Sequence, residues 1–182
     1  MTSNEAEQEA IEVVYSEATI KQQIGLLAEK IAAEKLKDLL VVAVLKGSFV
    51  FAADLIRALH DKGLAPQVDF LSLSSYRDGT TSTGRVDILK DIDLSVEGRD
   101  VLLVDDILES GRTMHFACEL LKSRGAGKIK TCVLLDKPGH RAAEIDADYR
   151  AFECPDVFVI GYGMDKAYKY RELPYVGRLV AY

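Results

Sequence analysis

An α/β fold on a largely parallel sheet is predicted from three features of the chain. A short continuous apolar run at 39–45 (LLVVAVL) is followed by apolar-rich stretches at 101–104 (VLLV) and 129–135 (IKTCVLL), as in strands buried on both faces. Stretches with helical spacing separate these runs, and strand–helix alternation is the signature of a mostly parallel sheet flanked by helices. Each run also ends in a break, at Lys46, Asp105 and Lys137. Three loops therefore converge at the carboxyl edge of one sheet, where open α/β folds bind ligands.

In chain order, residues 1 to about 10 are polar and acidic and read as a loose terminus. Residues 18–35 carry Ile20, Ile24, Leu27, Ala28 and Ile31 at helical spacing, with Ser16 as the N-cap. The strand at 39–45 is broken by Lys46-Gly47-Ser48, and a helix is predicted over 49–59. A strand over 68–74 leads into the polar loop SYRDGTTSTG, 75–84, and a weaker strand at 86–89 closes a long hairpin. The strand at 101–104 is followed by a helix over 113–123, then by the strand at 129–135. Two shorter strands are predicted over 157–160 and 178–181.

The length, 182 residues, fits one domain spanning the chain, with enough material for a real core. Net charge is −6, from 23 basic and 29 acidic residues, which argues against a general nucleic-acid binder. Cys118, Cys132 and Cys154 are far apart and form no Cys-x-x-Cys or Cys/His cluster, so reduced thiols in a cytoplasmic protein are expected. The opening MTSNEAEQEA lacks the layout of a signal peptide, and no apolar run reaches the roughly 18 residues of a membrane span.

The segment VLLVDDILESGRTM, 101–114, carries the chemistry. An apolar strand ends in two adjacent acids; a third acid, Glu109, precedes Ser-Gly-Arg-Thr. The P-loop pattern is absent, as is Gly-x-Gly-x-x-Gly after a strand. The acidic opening is similar to that of receiver domains, but too little chain follows Asp105 for such a domain.

The spacing resembles the phosphoribosyl-pyrophosphate motif of type I phosphoribosyltransferases, and within them the hypoxanthine-guanine enzymes. LKGS (45–48) resembles their pyrophosphate loop and SSYRDGT their Ser-Tyr lid. LLDK (134–137) and DVFVIGYGMDKAYKYRELPYVG (156–177) resemble their purine-binding segments. The four pieces occur in the family's order over about 130 residues.

The resemblance implies the type I fold: a central, mostly parallel sheet flanked by helices, with a small hood for the base. It implies transfer of the 5-phosphoribosyl group from phosphoribosyl pyrophosphate to a 6-oxopurine, with Mg²⁺ and a homodimeric or homotetrameric assembly. Asp105 and Asp106 then accept hydrogen bonds from the ribose hydroxyls and, with Asp165, serve Mg²⁺. Ser110, Gly111, Arg112 and Thr113 form a nest for the 5′-phosphate, although locally Ser110 reads equally well as an ordinary helix cap. Lys46, Gly47 and Arg171 face pyrophosphate, and the Lys46–Gly47 junction is a place where the family can carry a non-proline cis peptide. Lys137 donates to the 6-oxo group. Phe158 stacks on the base and Val159 meets its edge through main chain, both residues otherwise reading as strand core. Ser75 and Tyr76 belong to the lid, with Gly79 and Gly84 giving it freedom.

Two positions depart from the pattern. Glu109 stands where the family usually has Asp, as the group that handles the purine N7 proton; Asp105 stands where Glu is commoner. An alternative on the same fold is an RNA-binding transcriptional regulator, which needs a basic face. An inactive assembly subunit is disfavoured by the complete set of site residues.

Overall fold

The computed structural model describes residues 10–75 and 86–180. Six strands form one sheet in the order β4-β3-β2-β5-β6-β7. They are β2 (Leu40–Leu45), β3 (Gln67–Ser75), β4 (Val86–Lys90), β5 (Val101–Leu108), β6 (Ile129–Asp136) and β7 (Tyr149–Glu153). All pairings are parallel except β3 with β4, the predicted hairpin. A second, antiparallel sheet of order β1-β9-β8 joins Ala10–Tyr15, Val176–Val180 and Val159–Ile160.

The continuous apolar runs are explained by packing on both faces. Along β2, Val41 and Ala43 face the cluster containing Ile20, Ile24, Leu27, Phe51 and Leu55, whereas Leu40, Val42 and Val44 face the cluster containing Met114, Ala117 and Leu121. Helices α1 (Glu17–Ala33) and α2 (Phe49–Asp61) thus cover one face, and α3 (Arg112–Ser123) covers the other. Burying each such Val or Leu contributes about 1.5–3 kcal/mol. A one-residue slip of β2 exchanges the two faces and loses that fit. Ser16 caps α1 as predicted, its hydroxyl accepting from the Thr19 N–H at 3.3 Å.

Several expectations are corrected. The terminus read as loose to about residue 10 becomes strand at Ala10, which pairs with Val180; residues 1–9 lie outside the described residues. β7 has no counterpart in the prediction. The strand expected over 157–160 is only Val159–Ile160, so Phe158 precedes it. The last strand begins earlier, at Val176, and residues 181–182 lie outside the described residues. Most consequential, β5 runs on through Asp105, Asp106 and Ile107 to Leu108. The acids are therefore within the strand and not beyond it.

Candidate functional site

The continuation of β5 creates the site. β2 and β5 are paired only as far as Ala43 with Val104, whereas β5 and β6 stay paired to Leu108 with Asp136. Beyond Val104 the strand has lost its β2 neighbour, and a cleft of about 560 Å³ opens between the two. Chain order also reverses here: the sheet grows outward from β2 to β3 on one side and from β5 to β6 and β7 on the other. Such a switch point is where doubly wound sheets bind ligands. Asp105, Asp106, Glu109, Ser110, Gly111 and Thr113 line this cleft, facing Lys46 and Gly47. An adjoining cleft of about 380 Å³ shares Lys46, Gly47 and Asp106 and reaches Phe158, Val159, Asp165 and Arg171.

Asp105 is buried, and its Oδ1 accepts the Asp106 N–H at 2.9 Å. Burial, and then the neighbouring Asp106 charge, hold its carboxyl well above the usual carboxylate range. The folded chain thus keeps a proton that the unfolded chain releases above about pH 3.9. Its contribution to stability is full below that pH and is lost as pH rises toward the folded pKa, by up to about 1.4 kcal/mol per pH unit. Asp105→Asn is therefore expected to melt above the parent at pH 8, with the difference shrinking toward pH 4. A constant difference across this range in thermal melts would refute that account.

Helix α3 starts one residue earlier than expected, and its N-cap is Gly111 at φ 78°, not Ser110. A side chain at Gly111 would approach the Ile145 methyl to 2.7 Å in addition to the left-handed strain. Ser110 instead uses its hydroxyl to accept the Arg112 N–H at 3.4 Å, and its carbonyl accepts from Ala142 and Ala143. The turn is thereby set ahead of a helix start, with Ser110, Gly111 and Thr113 lining the cleft. That arrangement suits an anion.

On the opposite wall the cis peptide is Leu45–Lys46, one bond before the expected junction. Ser48 is fully buried, and its hydroxyl donates to the Val44 carbonyl at 2.5 Å, tying the turn back to β2. Gly47 leaves room for the Asp106 carboxylate, which a Cβ there would overlap and displace. Gly163, at φ 99°, lies against the Gly47 carbonyl so closely that a Cβ would overlap it. Arg171 donates through Nη1 to the Gly163 carbonyl at 2.7 Å, and its Nη2 pairs with Asp165 at 2.7 Å. Asp165 also accepts the Tyr168 N–H at 2.8 Å. The segment around Asp165 and Arg171 is thus pinned to the Lys46 turn. The Lys46 ammonium lies 5.7 Å from the Tyr168 ring centroid.

Lys137 is 6% exposed, and its ammonium donates to the Val157 carbonyl at 2.7 Å and lies 3.8 Å from Glu109 Oε1. Glu109 itself is exposed. Phe158, read alternatively as strand core, is 62% exposed at the cleft, whereas Val159 is buried. Ser75 ends β3; Tyr76 and the remaining lid residues to 84 lie outside the described residues. The other predicted residues line the two clefts, with two exceptions: Lys137 lines neither and reaches the site only through Glu109, and Arg112 is placed as the first residue of α3.

Three residues missed from sequence support the site. Asp136, at the buried end of β6, pairs with Arg141 and with Arg150. Arg141 then donates to the carbonyls of Leu108 and Glu109 at 2.8 and 2.7 Å, fixing the backbone that carries Glu109. The available signal was a carboxylate closing a buried strand, which is rare unless paired. His140 lines the cleft beside Glu109.

Residues 12–167 match the phosphoribosyl transferase domain family. The chain is 46% identical over 168 residues to a hypoxanthine-guanine phosphoribosyltransferase of Bacillus subtilis, covering 92% of each. It is 42% identical over 170 residues to one of Dictyostelium discoideum, covering 92% of this chain and 94% of the relative. A crystal structure of a hypoxanthine phosphoribosyltransferase from Staphylococcus aureus superposes with a TM-score of 0.87 at 42% identity, covering 93% of this chain and 91% of that one.

Proposed function

Because the chain belongs to the phosphoribosyl transferase domain family, we propose that it is a purine-salvage enzyme. It moves the 5-phosphoribosyl group of phosphoribosyl pyrophosphate to N9 of hypoxanthine, and of guanine, releasing pyrophosphate. The observation that carries this reading is the pair of adjoining clefts. One joins two carboxylates to a helix-start anion nest, and the other joins cations to an exposed aromatic ring.

The ribose hydroxyls donate to Asp105 and Asp106, while the turn 110–113 receives the 5′-phosphate. Lys46 and Arg171, with the backbone at Gly47, face the departing pyrophosphate. Phe158 stacks on the purine, Val159 meets its edge through main chain, and Lys137 donates to the 6-oxo oxygen. Adenine would bring an amino donor to that ammonium, which selects against it. Glu109 accepts the proton that the purine loses.

A divalent cation fits the donor set, because Asp105 and Asp106 crowd two carboxyls together at the cleft, where burial and the Asp106 charge push the Asp105 carboxyl well above the usual range and a cation would offset that crowding. Asp105 and Asp106 would hold Mg²⁺, which neutralises charge on the leaving group when bound. Asp165 is committed to Arg171 and to the Tyr168 N–H, so any role toward a metal begins with release from Arg171. Ser75 and Tyr76 belong to a lid that excludes water from the sugar cation.

A cytoplasmic setting accords with three free thiols. No helix among the described residues is long and apolar enough to cross a membrane. The RNA-binding alternative is not favoured by a net charge of −6.

Initial rates with hypoxanthine, guanine, xanthine and adenine, each with and without Mg²⁺, test the reading. Turnover of the first two that requires Mg²⁺ is expected. Equal turnover of adenine would refute the role given to Lys137, and no turnover of any base would refute the activity.

A further inference from the structure

Glu109 does not stand alone in its wall of the cleft. His140 Nε2 lies 2.9 Å from Asp156 Oδ2. A ring nitrogen of His140 and one carboxylate oxygen each of Glu109 and Asp156 all lie within 4.8 Å of one another. The three come from separate pieces of chain: the end of β5, the single 3₁₀ turn Pro138–His140 after β6, and the segment leading to β8.

We infer that His140, oriented by Asp156, is a positioning residue for Glu109 that carries its proton onward to solvent. This rests on the reading of Glu109 as proton acceptor. An acid that takes a proton in every turnover must also lose it, and the groups facing Glu109 differ in their capacity to receive one. The Lys137 ammonium, 3.8 Å away, has donors and no acceptor. The Arg141 guanidinium, bonded to the Glu109 carbonyl, likewise only donates. The Cys154 thiol has its pKa pushed up by burial, which disfavours the thiolate that could accept a proton. The imidazole alone among these four can both accept and release. When the ring proton sits on Nε2, 2.9 Å from the Asp156 carboxylate, Nδ1 carries the free lone pair.

The step balances. The Oε–H bond of protonated Glu109 breaks as an N–H bond forms on His140, directly or through water, between groups whose nearest polar atoms lie within 4.8 Å. The resulting imidazolium faces the Asp156 carboxylate and passes its proton to water. At 52% side-chain exposure His140 meets solvent directly. The extra methylene of Glu109 acquires a purpose here, since it carries the carboxylate out toward this imidazole.

The test is the steady-state kcat with saturating hypoxanthine, phosphoribosyl pyrophosphate and Mg²⁺, because loss of the proton from Glu109 follows the chemical step and limits repeated turnover. It is run for the unsubstituted protein, Glu109→Gln, His140→Ala, His140→Gln, Asp156→Asn and the His140→Ala/Asp156→Asn double variant. A loss of roughly 10-fold is expected for both His140 variants, part of what a complete acid–base group contributes. Asp156→Asn falls less, and the double variant no further than His140→Ala alone. Added imidazole restores His140→Ala in proportion to its neutral fraction as pH rises, a response that a merely structural role does not produce. An unchanged rate in His140→Ala, or a loss that imidazole does not repair, overturns the inference. Should the unsubstituted protein turn over and Glu109→Gln be crippled while His140→Ala is fully active, only this inference fails. Should the unsubstituted protein be inactive, the function itself is wrong.

Discussion

Asp136→Ala is expected to lower the unfolding free energy by about 3–5 kcal/mol, the usual cost of removing one partner from a buried ion pair. Asp136 is 2% exposed, and its carboxylate bridges Arg141 and Arg150, the latter at 3.0 Å. The two arginines are not equivalent. Arg150 is half exposed and contributes little on its own. Arg141 is largely buried, so without Asp136 it becomes a buried cation facing only carbonyls: Leu108, Glu109, Ile145 and Lys137. The damage therefore spreads to the backbone that presents Glu109, and turnover falls together with stability. Asp136→Asn keeps an acceptor for Arg141 and is expected to lose less of both. Urea titration read beside initial rates checks this. A loss below about 1 kcal/mol for Asp136→Ala would mean that Arg141 is held by its carbonyl contacts alone.

This dependence shows why some parts of the site were legible in the sequence and others were not. The runs at 39–45, 101–104 and 129–135 were recognisable because strands covered on both faces leave an unbroken apolar signature. Lys46, the Asp105-Asp106 pair and the turn 109–113 follow directly on such runs, so their place in the fold came with the strand pattern. Asp136 sits at the end of the same kind of run, but its partners are five and fourteen residues away across an irregular loop, and no periodicity marks them. β7 was missed because Tyr149–Glu153 is short, polar in part and at the sheet edge. β1 was missed because an acidic N-terminal flank hides a strand whose pairing partner, β9, lies more than 160 residues away. The continuation of β5 through two acids contradicts ordinary strand composition. It is tolerated because the β2 side of the strand is open there, and that opening is the cleft. Phe158 read more readily as strand core than as a stacking platform, and its exposure at the cleft removes the core reading.

Glu109→Gln is expected to cut the single-turnover rate and kcat/KM for hypoxanthine by about 10²–10³-fold, within the range for losing one general base. Glutamine keeps the length, the exposure and an amide oxygen toward Lys137, so the fold and the sugar-phosphate contacts are undisturbed. Only the capacity to receive a proton is gone. KM for phosphoribosyl pyrophosphate should therefore stay within about threefold, because the turn 110–113 and the Asp105-Asp106 pair are untouched. Glu109→Asp separates chemistry from reach. It restores the acid of the related enzymes but withdraws the carboxylate by about 1.5 Å, a displacement that active sites answer steeply. The backbone at Glu109 is fixed by Arg141, so the chain cannot simply slide to compensate. An intermediate rate is expected for Glu109→Asp, between those of Glu109→Gln and the parent. Equal rates in Glu109→Asp and the parent would show that proton transfer does not depend on where the longer side chain places its carboxylate. Equal rates in Glu109→Gln and the parent would remove Glu109 from the chemistry altogether.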